Sequence, residues 1–186
     1  MCGLLLEDIE EAPFPQRVAG MVLYMNVRQG RHGRYAFATL DDGKSKIEVS
    51  IWAESFELYR SALRKGQLVI VEGVVEQDDF KKGSYKIIAN KVLNWEQAQN
   101  EYTSHIQIVL DPDKMKVEEL TSTLKEMSEL NGSPIVIKYS DGKASGDIAL
   151  PKNFTMSIND ASINSLKELC GSDKVKLVYH SRPNIH

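Results

Sequence analysis

Cysteine is nearly absent: Cys2 and Cys170 are the only two in 186 residues. Placed so far apart, they indicate neither a disulfide framework nor a Cys-rich metal site. No apolar run approaches the roughly 20 residues that a bilayer-spanning helix requires. The opening Met1–Asp8 lacks the basic n-region and the longer apolar core of a secretory signal, so the cytoplasm is the expected compartment and no membrane partner is expected. Histidine is scarce and scattered as His32, His105, His180 and His186. There is no P-loop, no Gly-x-Ser-x-Gly and no His-Glu-x-x-His. No catalytic residue, metal site or cofactor is therefore expected. What remains is 42% hydrophobic and 26% charged, ordinary for a globular chain. Its length suits one large domain or two small ones.

The formal net charge of −3 conceals an asymmetry. Residues 1–16 carry four acids and no Lys or Arg, whereas residues 17–93 carry thirteen Lys and Arg against nine Asp and Glu. Residues 94–104 add two acids, and residues 105–186 hold ten bases against eleven acids. Only the 17–93 segment is locally basic, the pattern of a phosphate-binding module, although an imbalance of four also fits an incidental surface charge.

Hydrophobic patterning then divides the chain. Residues 1–16, with Pro13 and Pro15 opposing a continuing helix, read as a leader or remnant of an upstream region. A strand over 17–28 leads through Gln29-Gly30-Arg31-His32-Gly33 to a second strand that ends at the turn signal Asp41-Asp42-Gly43. A third strand alternates Ile47, Val49 and Ile51 against Lys46, Glu48 and Ser50. A helix over Ala53–Leu63 follows, with Gly66 as a C-cap candidate, and then strands over Leu68–Val75 and Tyr85–Ala89. Gly73 is expected to form a bulge. Three strands, a helix and two strands make the layout of an OB-fold barrel, whose groove commonly takes oligonucleotides or oligosaccharides. The barrel is assigned to residues 17–94 and a polar, helical linker to 95–104.

Residues 105–186 show their own rhythm. A strand at His105–Leu110 precedes Asp111-Pro112-Asp113 and a helix periodic in Val117, Leu120, Leu124, Met127 and Leu130. Strands at Ile135–Tyr139 and Ala144–Leu150 flank Ser140-Asp141-Gly142-Lys143, a hairpin signal. A short strand near Phe154–Ile158, a helix capped by Asn159 or Asp160 and ended by Gly171, and a strand at Val175–Tyr179 complete β-α-β-β-α-β, read as a split βαβ arrangement. The predicted fold is thus an all-β OB-fold barrel followed by a small α+β domain.

Within the barrel, Arg28, Arg31, His32 and Arg34 bracket the first loop, where guanidiniums can clamp phosphates and stack on bases. Phe80, Lys81 and Lys82 occupy the last inter-strand loop, offering a stacking plane beside two cations. The bland reading of both groups is a solvated turn, with Asp78 and Asp79 repelling phosphate beside Phe80. Tyr35 suits either a stacking platform or the core, while Phe37 is assigned to the core. Trp52 follows the outward alternation and is either exposed or packed under the adjoining helix. Lys44 and Lys46 read as solvated.

The runs Arg17-Val18-Ala19-Gly20, Ala38-Thr39-Leu40-Asp41-Asp42, Ile47-Glu48-Val49 and Asp78-Asp79-Phe80 resemble the OB domain of bacterial DNA polymerase III alpha subunits. Ser157, Leu166, Leu169, Gly171-Ser172-Asp173-Lys174-Val175 and Leu177 resemble the module that follows it. Anticodon-binding domains of tRNA synthetases share the Leu-Asp-Asp pattern, so the tandem order carries the specificity. The palm's Pro-Asp-x-Asp-x-Asp cluster is not matched, because Asp111-Pro112-Asp113 stands at a predicted helix start. The resemblance therefore implies a non-catalytic C-terminal segment of a DNA-directed DNA polymerase. It would bind single-stranded DNA through the barrel and the clamp-loader tau subunit through Leu166–Tyr179 and Ser181–His186, beside the rest of the polymerase holoenzyme. Two rivals stand beside it: a replisome protein-docking module without DNA binding, and a free-standing RNA- or tRNA-binding protein.

Overall fold

The computed structural model describes residues 5–78, 83–110, 117–140 and 144–180. The chain divides into two compact units, residues 1–98 and 99–186. In the first, β1 (Gln16–Gly30), β2 (Gly33–Asp41), β3 (Lys46–Ile51), α1 (Ala53–Tyr59), β4 (Leu68–Gln77) and β5 (Tyr85–Asn94) form a closed barrel of order β1-β2-β3-β5-β4. All its neighbours are antiparallel except β3 and β5, which run parallel.

Closure depends on β1, which serves two neighbours in turn. Its first half pairs with β4 over Gln16–Met21 and its second with β2 over Met21–Gly30, with a register shift between Val22 and Tyr24. A second shift, between Glu72 and Gly73, bends β4 as the Val-Glu-Gly-Val-Val pattern predicts. A Cβ on Gly73 would lie 2.2 Å from the Ile88 carbonyl oxygen, so the curvature requires glycine there. The interior is filled by alternate side chains, among them Val18, Val22, Ala36, Ala38, Leu40, Val49, Ile51, Val69, Val71, Ile87 and Val92. Burying each large aliphatic is worth about 1.5–3 kcal/mol.

Tertiary packing alters three local expectations. The N-terminal segment is not merely a leader: Leu6 and Ile9 belong to the barrel core, and the Leu6 amide donates to Asp42 Oδ2 at 2.9 Å. The helix ends at Tyr59 rather than Leu63, although Phe56 and Leu63 are both buried. Gly66 (φ 80°) does not cap it. Instead its amide donates to the Val22 carbonyl while the Val22 amide donates to the Gln67 carbonyl, prolonging the β1–β4 pairing.

The boundary between the units falls within α2 (Trp95–Tyr102). In the second unit β6 (Thr103–Leu110), α3 (Val117–Glu126), β7 (Ser133–Ser140), β8 (Ser145–Ala149), β9 (Thr155–Met156), α4 (Asp160–Cys170) and β10 (Val175–Tyr179) follow in order. The main sheet runs β10-β6-β7-β8, with β9 paired to β7. The expected element order is present, but the βαβ is not split. β6 and β7 pair directly in parallel, because α3 returns the chain beside β6 and β8 folds onto the far edge of β7. Leu120 and Leu124 of α3 and Leu166 of α4 join Ile106, Ile108 and Ile135 in the core.

Caps mark both ends of α4. Asn159 Oδ1 accepts from the Ser162 amide at 2.9 Å, and Gly171 (φ 100°) ends α4. α3 stops before the predicted Leu130, which is almost fully exposed, because the Glu129 amide turns to the Thr155 carbonyl. The segments Asp111-Pro112-Asp113, Asp141-Gly142-Lys143 and Ser181–His186 lie outside the described residues. No helix among the described residues is long and apolar enough to cross a membrane.

Candidate nucleic-acid interface

Strand parity builds the site. Along β2, Ala36, Ala38 and Leu40 are buried, which turns Tyr35, Phe37 and Thr39 to the outside of the barrel. Phe37 is therefore not core, contrary to the sequence assignment. The interior positions of this strand are taken by its small neighbours, and Phe37 remains half-buried on the outer face. Directly opposite in the β1 ladder stand Arg28 beside Tyr35, Asn26 beside Phe37 and Tyr24 beside Thr39, and residues so paired share a face.

Trp52, the first residue after β3, joins them. Its ring centroid lies 5.6 Å from that of Tyr35 and 6.4 Å from that of Phe37, and Tyr35 and Phe37 are 5.6 Å apart, edge to face. The Arg28 guanidinium sits 5.6 Å above the Phe37 ring, a cation–π contact worth about 0.5–1 kcal/mol at an exposed site. Trp52 is 49% exposed and Tyr24 61% exposed. Tyr35 lies close over Gly30, where a Cβ would meet its ring at 3.0 Å.

The cations of the first loop do not gather on one face. Arg31 and His32 are exposed at its tip. Arg34, however, is one residue out of phase with Tyr35 and turns to the opposite face, toward α1. Its Nε donates to Glu57 Oε1 at 3.0 Å and its Nη2 to Glu57 Oε2 at 3.3 Å, with the guanidinium 5.8 Å from the Phe56 ring. Arg60 Nε approaches the same carboxylate at 3.7 Å. Phe80, Lys81 and Lys82 lie outside the described residues. The Asp78 amide donates to the Ser84 carbonyl at 2.8 Å.

The β2–β3 turn is built by carboxylates. Asp41 Oδ1 accepts from the Gly43 amide, and Asp42 Oδ1 accepts from the amides of Lys44 and Ser45. The amides of Ser45, Leu6 and Lys44 hold the Asp42 carboxyl below the usual carboxylate range. Lys44, whose ammonium bonds Glu7 at 3.1 Å, is raised by that contact. In the second unit burial pushes the Cys170 thiol up.

Thus Arg28 and Tyr35 come together on the outer face, Arg31 and His32 flank it, and Arg34 is diverted. The sequence reading missed Phe37 and left Trp52 undecided. The buried Ala36-x-Ala38-x-Leu40 alternation was the signal that places Phe37 outside. Tilted rings beside a guanidinium give bases a stacking surface and phosphates a cation.

A closed five-stranded barrel of order β1-β2-β3-β5-β4, with a helix between its third and fourth strands, is an OB-fold. Residues 16–94 match the family model described as OB-fold nucleic acid binding domain. Over 174 residues, 92% of the chain, the sequence is 30% identical to DNA polymerase III subunit alpha of Pseudomonas aeruginosa. Over 164 residues, 87% of the chain, it is 27% identical to the subunit of Neisseria meningitidis serogroup A. The chain is homologous to the OB-fold region of DNA polymerase III alpha subunits. It spans about 15% of the length of these relatives. Among solved structures, a single-stranded DNA binding protein of Mycobacterium smegmatis is 16% identical, covering 44% of this chain and 88% of its own, with a TM-score of 0.39, too low to bear on function.

Proposed function

We propose that this chain is a non-catalytic, C-terminal type of segment of a replicative DNA polymerase III alpha subunit that holds single-stranded DNA on its barrel and acts in the cytoplasm. The observation that carries the reading is the Tyr35–Phe37–Trp52 cluster with Arg28 over Phe37, on the outer face of the barrel. Stacking tolerates any base, so little sequence preference is expected. The second unit would tether the segment to the clamp-loader tau subunit through Leu166–Tyr179, where α4 ends and the edge strand β10 begins. Polymerisation itself would belong to the rest of the holoenzyme.

Protein docking without DNA is the second reading, favoured by an apolar groove on the first unit lined by Leu5, Met21, Leu23 and Leu68. Fluorescence anisotropy of a labelled single strand at two salt concentrations, with duplex DNA and RNA as competitors, separates the two. Binding that favours the single strand and weakens with salt, by a log–log slope of about −0.7 per phosphate neutralised, is the expected result. No binding at low salt would leave docking as the function, and preference for RNA would move the assignment to an RNA binder.

A further inference from the structure

We infer that Glu57 is a built-in competitor for nucleic-acid phosphate: its carboxylate fills the guanidinium fork of Arg34 and must yield before that residue can neutralise a bound strand. The inference rests on the single-strand reading above. The fork of an arginine fits carboxylate and phosphate alike, and Glu57 occupies it with two bonds of 3.0 and 3.3 Å. The same carboxylate faces Arg60 at 3.7 Å, so one acid restrains two cations beside the first loop. Side-chain exposures of 46% and 49% for Arg34 and Glu57 place the pair in solvent, where such a bridge holds weakly and a polyanion can displace it.

The pair is not needed to hold the loop. Gly33 (φ 120°) already lies against Ala53 at the start of α1, where an added Cβ would stand 3.3 Å from the alanine Cβ. The Tyr35 and Trp52 rings meet 5.6 Å apart on the other face. Two fastenings thus remain when the Glu57 charge is removed. Arg34 lies on the face opposite Tyr35, so a strand stacked on Tyr35 reaches it by rounding the exposed loop tip at Arg31 and His32. Glu57 therefore sets how many phosphates the barrel engages, and with it affinity and salt sensitivity.

The test is a double-mutant cycle on the full chain, read by anisotropy of a labelled oligothymidylate across a salt series. Glu57→Gln is expected to tighten binding about three- to fivefold and to steepen the log–log salt slope by about 0.7, one further phosphate. Arg34→Ala is expected to change wild-type binding less than about twofold, yet to abolish the gain when combined with Glu57→Gln. Unchanged or weaker binding by Glu57→Gln, with wild-type binding intact, would overturn the inference and make the pair a structural strut. Failure of both wild type and Glu57→Gln to bind at low salt would overturn the single-strand reading and the inference with it.

Discussion

Replacing Phe37 by alanine separates an outward-facing aromatic from a core one. A core phenylalanine truncated to alanine costs about 3–5 kcal/mol. Phe37 keeps part of its surface in solvent on the outer face, so somewhat less than a full burial term of about 1.5–3 kcal/mol is at stake. Its two ring neighbours at 5.6 and 6.4 Å add about 0.5–1.5 kcal/mol each at most. With those contacts at their low end, the expected loss of stability is about 2–3 kcal/mol, measured by urea unfolding of the full chain. Binding should suffer in proportion to the lost stack, about 1–3 kcal/mol per base, or roughly 5- to 150-fold in Kd. Anisotropy titration well below the unfolding midpoint reads that loss on folded protein, with Phe37→Leu as a control that keeps apolar bulk without the ring. Unchanged affinity of the folded fraction, whatever the loss of stability, would refute the placement of Phe37 in the interface.

Two further outcomes test the frame that carries the interface. Asp42 is held below its ordinary pKa of 3.8 by backbone amides, so its contribution is present above that value and vanishes as pH falls through the lower folded value. Asp42→Ala should cost about 1–2 kcal/mol at neutral pH, and the gap from wild type in urea unfolding should shrink at pH below 3.8; a gap constant with pH would refute the role of the charge. Gly73→Ala should destabilise by about 2–3 kcal/mol, because its Cβ would stand 2.2 Å from the Ile88 carbonyl oxygen. A thermal midpoint equal to wild type would show that the bulge tolerates a side chain.

Much of this was legible in the residues themselves, for local reasons. The alternation of Ile47, Val49 and Ile51 defines β3 and its buried face, since side chains in a strand point alternately to opposite sides. Asp41-Asp42-Gly43 makes its turn through short-range hydrogen bonds, and Asn159 and Gly171 bound α4 by chemistry confined to one helical turn. Arg28 and Tyr35 were named as site candidates, and the ladder sets them opposite each other.

Long-range pairing decided the rest. Gly66 is drawn to Val22, some forty residues earlier, rather than to the helix before it. Leu6 and Ile9 carry no periodic signal, yet they complete the barrel core once Asp42 captures the Leu6 amide. The direct pairing of β6 with β7 depends on where a crossover helix returns the chain, which strand patterns do not encode. Arg34 and Tyr35 are adjacent in sequence and alike in promise; only the closed barrel shows that one turns to Glu57 and the other to Trp52. Periodicity determines which residues share a face, while the choice between inside and outside, and the partner each side chain meets, depends on strands brought together from distant parts of the chain.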